Sequence, residues 1–460
     1  MPPPAIIPAR IDPPAEPLSP LPWLRAVVRN PIESWPRSVY RDHLHRSRMP
    51  GRDAMFVMSP ALIRQVLVDE ADSFEKGAMA RRALGPVLGD AILLADGARW
   101  RRQRHAAASL FRREQLLDFL PVMIAAAERT RERWLSYPAA SEVNVAREMM
   151  RTTFDIVLAT MLPGSSVHEP ARIERAITDY LESTTWVMAL TILGAPRWCP
   201  YPGMRKAGRG RDFLKRFVAG LTNETACSES CSRNDLLSLL VRADDPDSGR
   251  SMSETDVRDN ILTFVMAGHE TTALVLTWTF YLLSLHADTE ERVRSEIAAV
   301  TGGTPVRREH IESLRYTQQV IQEAMRLYPP VPLIVREARR VLRLGTETIG
   351  PGTFVYVPVY AIHRHEEFWD QPDLFDADRF APEAIKARDR YVYLPFGAGP
   401  RICIGMSFAQ MEATAVLAVL LSSLRLRLRL RPGYVPQPKL RVTLRPARGM
   451  PMQLIASGSY

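Results

Sequence analysis

The sequence predicts a mainly α protein with a small β region, and three observations along the chain support that fold class. Apolar residues recur at helical spacing over about residues 60–328. Over residues 331–360, proline, glycine and β-branched residues dominate, which predicts short strands joined by turns. The octamer LRLRLRLR (424–431) alternates with a period of two, as a half-exposed strand does.

The first 35 residues, which begin MPPPAIIPARIDPPAEPLSPLPWL, are rich in proline. Because proline lacks a backbone donor and disrupts helix interiors, this segment (1–35) is predicted to be an extended arm before a main domain (36–460). It contains no apolar core of the signal-peptide type. It is also far from the roughly 20 apolar residues that a membrane-spanning helix needs.

The stretch ILTFVMAGHETTALVLTWTFYLLSL (261–285) is long and apolar enough to be tested as a membrane span. A span would place His269 and Glu270 near the bilayer centre, where an acidic side chain costs roughly 2.5–3.5 kcal/mol. A buried helix with a polar break facing a cavity explains the same residues better. We therefore predict no membrane span and a soluble, cytoplasmic protein, with this helix starting at the capping-box sequence of residues 253–256.

The later segments continue the same pattern. Residues 287–300 mix charged and apolar residues at helical spacing, as a surface helix does. The segment VTLRPARGMPMQLI (442–455) predicts a closing hairpin.

Composition excludes several classes of protein. With 460 residues, 46% hydrophobic and 24% charged, the chain is globular and long enough for up to roughly three domains. Only 5 of the 60 basic residues are lysine, which indicates a GC-rich bacterial genome. The net charge is +9, but the arginines are scattered and no nucleic-acid-binding module is present, so no nucleic-acid partner is expected. Four cysteines exclude a disulfide scaffold, and no role is assigned to Cys199. Cys227 and Cys231 could form half of a metal site, but no nearby Cys/His pair completes it, so a surface loop with two thiols is the favoured interpretation.

The most informative segment is FGAGPRICIG (396–405), which is followed by the apolar helix sequence MSFAQMEATAVLAVLLSSL. Its three glycines allow the backbone to turn tightly and to approach something large and flat. Cys403 stands just before a helix N-terminus and near Arg401, and both features are expected to lower the pKa of its thiol. The alternative is a buried, inert cysteine, which is the usual state of an isolated one.

This decamer resembles, at every defining position, the FxxGxRxCxG loop of the cytochrome P-450 superfamily. The resemblance, over about residues 74–455, implies a single mainly α domain of a soluble bacterial haem-thiolate monooxygenase. It implies haem b (iron protoporphyrin IX) between the central helix and the cysteine loop. Cys403 is the implied axial ligand of the haem iron, and Phe396 and Gly397 are implied to contact the haem.

The hexapeptide AGHETT (267–272) places glycine and two threonines inside the central helix, where they are poor helix formers. Taken alone, it fits a packed kink equally well. It also resembles the oxygen-activation sequence of the same family. That resemblance implies that Thr271 hydrogen-bonds the bound oxygen and that Glu270 relays protons from solvent.

Further segments resemble the family, and the resemblance implies a buried triad and a set of residues that bind the haem propionates. Glu323 and Arg326 in EAMR, with Arg379 in FDADRF, are implied to form a buried triad, although such a helical pair is often an exposed ion pair. The remaining candidates are implied to bind the haem propionates, namely Trp100 and Arg104 of WRRQR, Arg336 and Arg401.

The substrate pocket is predicted to be apolar. Thr263 and Ala267 lie two turns and one turn before Thr271 on one helix face. The expected lining residues are Thr263, Met266, Ala267, Leu333 and Ile334.

The resemblance implies O2 as co-substrate and NAD(P)H as an indirect electron source, because no flavin or iron–sulfur module is visible. The expected partner is a ferredoxin or flavodoxin with its reductase, steered to arginines such as Arg101, Arg102 and Arg113. The substrate is a lipophilic small molecule, with a faint indication of a fatty acid or terpenoid. Two alternatives stay open: a peroxide-driven or isomerase enzyme of the same fold, and a non-catalytic haem gas sensor.

Overall fold

The structure is a computed structural model of the chain, and it describes residues 6–49, 52–138, 140–161, 170–227, 240, 252–423 and 427–455. Helices make up most of these residues, which confirms the predicted fold class. The helices in the first half are α1 (Pro20–Arg29), α2 (Pro60–Arg64), α3 (Gly77–Leu88), α4 (Gly97–Ala108), α5 (Arg113–Leu135), α6 (Val145–Met161), α7 (Pro170–Leu181), α8 (Thr184–Ile192) and α9 (Met204–Cys227). The later helices are α10 (Glu254–Leu285), α11 (Ala287–Thr301), α12 (Arg315–Leu327), α13 (Val359–Ile362), α14 (Pro382–Ala387) and α15 (Met406–Leu421).

The strands form a small β region, mostly late in the chain. They are β1 (Leu44–Met49), β2 (Arg52–Val57), β3 (Phe74–Glu75), β4 (Glu142–Asn144), β5 (Ile334–Ala338), β6 (Leu342–Leu344), β7 (Glu347–Ile349), β8 (Phe354–Val357), β9 (Arg427–Leu430), β10 (Pro438–Leu440), β11 (Leu444–Pro446) and β12 (Pro451–Ile455). The largest sheet has the order β1-β2-β8-β5-β3, with β2 and β8 parallel and the other pairs antiparallel. In its register Arg336 of β5 pairs with Val355 of β8.

Helix α10 is the central helix of the protein, and it begins where the sequence predicts. Ser253 is its N-cap, and the Ser253 hydroxyl accepts a hydrogen bond from the Asp256 backbone N–H at 3.1 Å. By length and composition α10 could cross a membrane, but 83% of its most apolar window is buried inside the protein. It therefore has the environment of a core helix, packed against α6, α12 and α15.

Two local predictions need correction, and a third is confirmed over the residues that the structure describes. The N-terminal arm is not extended throughout, because residues 20–29 form α1. Proline is tolerated there, since Pro20 and Pro22 lie in the first turn, where backbone N–H groups have no intrahelical acceptor. The closing hairpin is wrong: β11 pairs with β10, whereas β12 pairs with β4 and β9 in another sheet. The strand predicted at 424–431 is present as β9, and its first three residues lie outside the described part of the chain.

Candidate active site

A mainly apolar cavity of about 330 Å³ lies between the central helix and the segment 396–405, which we call the cysteine loop. The central helix contributes Thr263, Ala267, Thr271 and their neighbours, and β5 contributes Ile334 and Arg336. The cysteine loop contributes every residue from Phe396 to Ala398 and from Arg401 to Gly405. Residues that the sequence singled out in four distant segments, among them Trp100, Thr271, Arg336 and Cys403, thus meet at one cavity.

The shape of the cysteine loop depends on two glycines. Gly397 and Gly399 have φ values of +73° and +72°, in the left-handed region that side chains disfavour. A Cβ on Gly399 would also lie 1.9 Å from the Leu67 carbonyl oxygen. Gly405 adopts an ordinary φ of −87° as the N-cap of α15, so its backbone does not need glycine. The Cys403 backbone N–H donates to the Phe396 carbonyl at 3.0 Å, which closes the loop.

The Cys403 thiol faces the cavity, although protein surrounds it on the other sides. Burial raises the pKa of the Cys403 thiol, while the Gly405 N–H and the Arg104 guanidinium lower it by less. The sequence-based expectation of a lowered pKa is therefore wrong for the protein alone. Arg401 does not supply the expected charge, because its guanidinium pairs with Asp96, donates to the Ala95 carbonyl and stacks over Trp100.

The wall opposite the cysteine loop belongs to the central helix. The Thr271 hydroxyl donates to the Ala267 carbonyl at 2.8 Å. The His269 carbonyl oxygen accepts a hydrogen bond from the Thr153 hydroxyl of α6 at 2.7 Å, which holds the central helix against α6 at this turn. Glu270 points away from the cavity, where its buried carboxylate pairs with Arg445 and accepts the Thr443 hydroxyl. Its role as a proton relay stays a prediction.

Four basic side chains line the cavity, and we call them the cationic rim: Lys76, Arg104, Arg336 and Arg401. Arg336 is only 7% exposed, and among the described residues no carboxylate pairs with it. Burial and the nearby Arg401 lower the pKa of Arg336 to about 10. Lys76 was missed by the sequence reasoning. Burial, with Arg336 and Arg401, lowers its pKa well below the usual value.

Asp96 lies beside the rim and pairs with Arg401. Its negative charge raises the pKa values of Lys76 and Arg336, but by less than burial lowers them. The rim therefore carries excess positive charge in a buried place, which is unfavourable unless an anion joins it. Trp100, which lies beside the rim, adds an indole N–H. A flat ligand with two carboxylates at one edge and a metal facing Cys403 satisfies both features, so the residues present fit an iron porphyrin.

The expected triad is assembled away from the cavity, and we call it the buried lock: Glu323, Arg326 and Arg379. Glu323 and Arg326 are 0% exposed and form a bidentate pair with N···O distances of 2.6 and 2.7 Å. The Arg326 guanidinium also donates to the carbonyls of His363, Pro372 and Leu374 at 2.7–2.8 Å. Arg379 is a looser member, with its Nε 3.6 Å from Glu323 Oε1.

His363 connects the buried lock to the cysteine loop. The His363 Nε2 accepts the Leu394 backbone N–H at 2.8 Å, and its Nδ1–H therefore donates to the Arg326 carbonyl at 3.1 Å. Burial, together with the Arg326 charge, lowers the pKa of His363 to about 3. His363 therefore has a structural role, because both of its ring nitrogens are engaged by backbone groups.

Two of the five expected pocket residues do not line the cavity. Met266 is buried in the core on another side of the central helix. Leu333 comes immediately before β5, which begins at Ile334. Because alternate residues of an extended chain face opposite sides, Ile334 and Arg336 face the cavity and Leu333 does not. The lining residues that the sequence analysis missed include Ile92, Leu93, Val157, Met161, Phe264 and Val331. Several of these lie in segments without a motif.

The arginines proposed for partner docking lie beside the cysteine loop. Arg101 and Arg102 follow Trp100 on the exposed side of α4. Arg113 starts α5 two residues after Phe111, whose ring lies 3.7 Å from an ideal Cβ on Gly405. Arg101 and Arg113 make solvent-exposed ion pairs with Asp72 and Glu312. Of the other thiols, Cys199 is free, the Cys227 side chain is not described, and Cys231 lies outside the described residues.

Comparison with known proteins gives the same assignment as the site. The family model described as Cytochrome P450 matches residues 20–450. The chain is 30% identical over 428 residues to cyclooctatin synthase of Streptomyces melanosporofaciens, with 92% of each chain covered. It is 31% identical to pentalenene oxygenase of Streptomyces avermitilis, with 87% of each covered. It is 33% identical to a cytokinin hydroxylase of Arabidopsis thaliana, covering 85% of this chain and 76% of that one.

A mainly α fold with a cysteine loop facing a glycine- and threonine-bearing central helix defines a haem-thiolate protein. The chain belongs to the cytochrome P450 family. Its activity is accordingly that of a cytochrome P450 monooxygenase.

Proposed function

We propose that the protein binds haem b through Cys403 and inserts one atom of O2 into a lipophilic molecule of the terpenoid class. It acts in the bacterial cytoplasm, with NAD(P)H electrons delivered by a ferredoxin or flavodoxin and its reductase. The observation that carries this proposal is the single cavity at which the Cys403 thiol, the Thr271 hydroxyl and the cationic rim meet.

The protein's own residues would hold the cofactor at its centre and at its edge. Cys403 supplies the sulfur ligand, and the Gly405 N–H and Arg104 favour its thiolate form over the neutral thiol. Arg336, Arg104 and Lys76 offer cations to the two propionates, with Trp100 offering one N–H. When bound, haem supplies the redox chemistry of O2 activation, which is favoured by a thiolate ligand.

The central helix would position oxygen and the substrate. The Thr271 hydroxyl already lies on the cavity wall, and a small rotation would exchange its bond with the Ala267 carbonyl for one with a bound oxygen. Ala267 carries only a methyl group and Gly268 has no side chain, which leaves space beside the Thr271 hydroxyl. The apolar walls exclude water from the place where the oxygen atom is transferred.

The substrate class follows from the walls and from the relatives. Apart from the rim, the threonines, Cys403 and Gln410, the side chains that line the cavity are aliphatic or aromatic, so they bind hydrocarbon surface and offer few hydrogen bonds. The relatives named for cyclooctatin and pentalenene act on terpenoids. A compact hydrocarbon with few oxygen atoms therefore fits better than a fatty acid, whose carboxylate would need a partner among the apolar side chains.

A reconstituted assay tests this function. The purified protein is given NAD(P)H, a surrogate ferredoxin or flavodoxin with its reductase, and 18O2. Terpene hydrocarbons and fatty acids are compared as substrates. We expect a terpenoid to shift the haem spin state and to gain one 18O atom, with the ferrous carbonyl spectrum of a thiolate ligand. Product formed from peroxide alone would support the peroxide-driven alternative, and carbonyl binding without any product would support a gas sensor. Cys403→His should abolish the thiolate spectrum.

A further inference from the structure

Thr153 is a buried residue of α6 whose hydroxyl reaches the backbone of another helix. It is 0% exposed, and its Oγ1 lies 2.7 Å from the His269 carbonyl oxygen of the central helix. The carbonyl oxygens of Met149 and Met150, on α6 itself, are farther away at 3.0 and 3.2 Å. A hydroxyl has one proton to donate, so its shortest contact, which joins the two helices, is its principal hydrogen bond.

Thr160, two turns further along α6, shows what a buried threonine of this helix does otherwise. It is 1% exposed, and its hydroxyl donates to the carbonyls of Ile156 and Val157 on its own helix at 2.8 and 3.3 Å. Such a bond back to the preceding turn is ordinary for threonine in a helix. The bond from Thr153 to the central helix is therefore a feature of the place where α6 meets His269, and not of buried threonines on α6 in general.

The two helices approach closely at that place. An ideal Cβ on Gly268 would lie 3.3 Å from Val157 Cγ2, which is too tight for a side chain unless a neighbour moves. The ring of Phe154 meets the ring of His269 edge to face, with 5.5 Å between the ring centroids and 77° between the ring planes. Helix α6 thus holds this turn of the central helix through a methyl group, a ring and a hydrogen bond to the backbone.

The other side of the same turn borders the cavity, where Ala267 and Thr271 line the wall. At about 100° per residue, His269 lies on the side of the helix opposite to Ala267 and Thr271. A helix carbonyl that accepts a hydrogen bond from outside tilts outwards and lengthens its own helical bond, so the helix becomes convex on that side. Because the donor is on the α6 side, the central helix is expected to be concave towards the cavity at Thr271.

We propose that Thr153 is a positioning residue for the turn 267–271: its hydrogen bond to the His269 carbonyl draws the central helix towards α6 and keeps space beside Thr271 on the cavity side. Without this bond, the turn relaxes towards a straight helix and moves into the cavity, which narrows the place where oxygen and substrate meet. Thr153 acts through the backbone of that turn. The inference rests on the proposed monooxygenase function, because that function assigns Thr271 to the bound oxygen.

The first experiment records the infrared C–O stretching band of the ferrous carbonyl form, which needs neither substrate nor turnover. This band responds to the polar groups and the free space around the bound gas. We expect Thr153→Val, which removes the hydroxyl and keeps the shape, to shift the band. Thr153→Ser keeps the hydroxyl and should match wild type. The matched control is Thr160→Val, which removes a buried hydroxyl whose bonds stay within α6 and should also match wild type.

An unchanged band in Thr153→Val would overturn the proposal. Equal shifts in Thr153→Val and Thr160→Val would also overturn it, because they would indicate a general effect of packing on α6. If Thr153→Val does not retain haem, Thr153→Cys replaces it, since a thiol is a weak donor of similar size. A band in Thr153→Cys that matches Thr153→Ser would then contradict the proposal, and a shifted band would support it.

The second experiment measures product formed per NAD(P)H consumed. Thr153→Val should lower this coupling severalfold, whereas Thr153→Ser and Thr160→Val should not. Because Thr153 acts through Thr271, the double variant Thr153→Val/Thr271→Val should be no worse than Thr271→Val alone. Losses that add in the double variant would show that Thr153 acts by another route. Failure of the proposed function is distinguishable, because wild type itself would then form no product while the carbonyl bands of the variants would still differ.

Discussion

The buried lock and the cationic rim are both arginine-rich and buried, yet their charges are balanced in opposite ways. In the lock, Arg326 has a bidentate carboxylate and three carbonyl acceptors. In the rim, the Arg336 guanidinium donates to the carbonyl of its own neighbour, Val335, and no carboxylate of the described residues pairs with it. A buried charge that has its full set of carboxylate and carbonyl partners stabilises the fold itself. A buried charge without a carboxylate partner indicates a site for an anionic ligand. The difference separates structural arginines from binding arginines without reference to any motif.

Breaking the lock should have the largest effect. Glu323→Ala leaves the Arg326 charge buried and unpaired, which is expected to cost about 3–5 kcal/mol and to abolish haem retention. Denaturant unfolding and the haem content of purified protein measure the two effects. The control is Asp378→Ala, which removes a solvent-exposed pair with Arg292 and should cost under about 1 kcal/mol. Normal haem loading in Glu323→Ala would show that the lock does not support the cysteine loop.

Replacing one arginine in each region should affect the folding stability of the apoprotein in different directions. Arg326→Met leaves the buried Glu323 with only the looser Arg379 as a cationic partner, and it is expected to destabilise by about 3–5 kcal/mol. Arg336→Met removes an uncompensated buried charge, so the apoprotein should be unchanged or stabilised. The same variant should retain haem at least about tenfold more weakly, because a charge-assisted bond is lost. Chemical unfolding of apoprotein and haem transfer to a scavenger protein measure these quantities. Equal destabilisation by both substitutions would contradict the comparison.

Over the first pH unit below 6.5, the loss of stability caused by acid should be smaller than these effects, and it should depend on His363. Its pKa is lowered to about 3, below the usual value near 6.5, so the unfolded chain takes up a proton that the folded chain excludes. Stability should therefore fall as pH decreases from about 6.5 towards 3, by up to about 1.4 kcal/mol per pH unit. Protonation would place an N–H against the Leu394 N–H and weaken the link to the loop. Substitution to His363→Gln should flatten this slope, and an unchanged slope would assign the acid sensitivity to other groups.

Sequence alone located the elements that carry strong local signals. The cysteine loop, the capped central helix and the lock segments were expected, because glycine spacing, capping and a polar break in an apolar helix are local features. Lys76 and the lining residues of α6 were missed, because only the packing of distant segments brings them to the cavity. One signal was available for Lys76: it is one of five lysines in an arginine-rich chain.

The errors have similar causes. Met266 was expected at the cavity because the pocket was predicted to be apolar, but it lies outside the helix face that Thr263, Ala267 and Thr271 share. The closing hairpin failed because strand partners were chosen by proximity along the chain, whereas β12 pairs with β4.

The smallest expected effect concerns the solvent-exposed arginines beside the cysteine loop and the rate at which a redox partner reduces the protein. Arg102 is exposed on α4, so an acidic redox partner would feel its charge through water, where salt screens it. We expect Arg102→Glu to slow reduction by an acidic ferredoxin severalfold at low salt, and the difference from wild type to vanish as salt rises. Arg25→Glu, an exposed substitution in α1, is the control and should leave the rate unchanged. Stopped-flow reduction at several ionic strengths measures the rate. A rate independent of salt in wild type would place the electron-transfer partner on another face. The buried arginines of the rim would then bind a ligand, whereas the exposed arginines beside the cysteine loop would not.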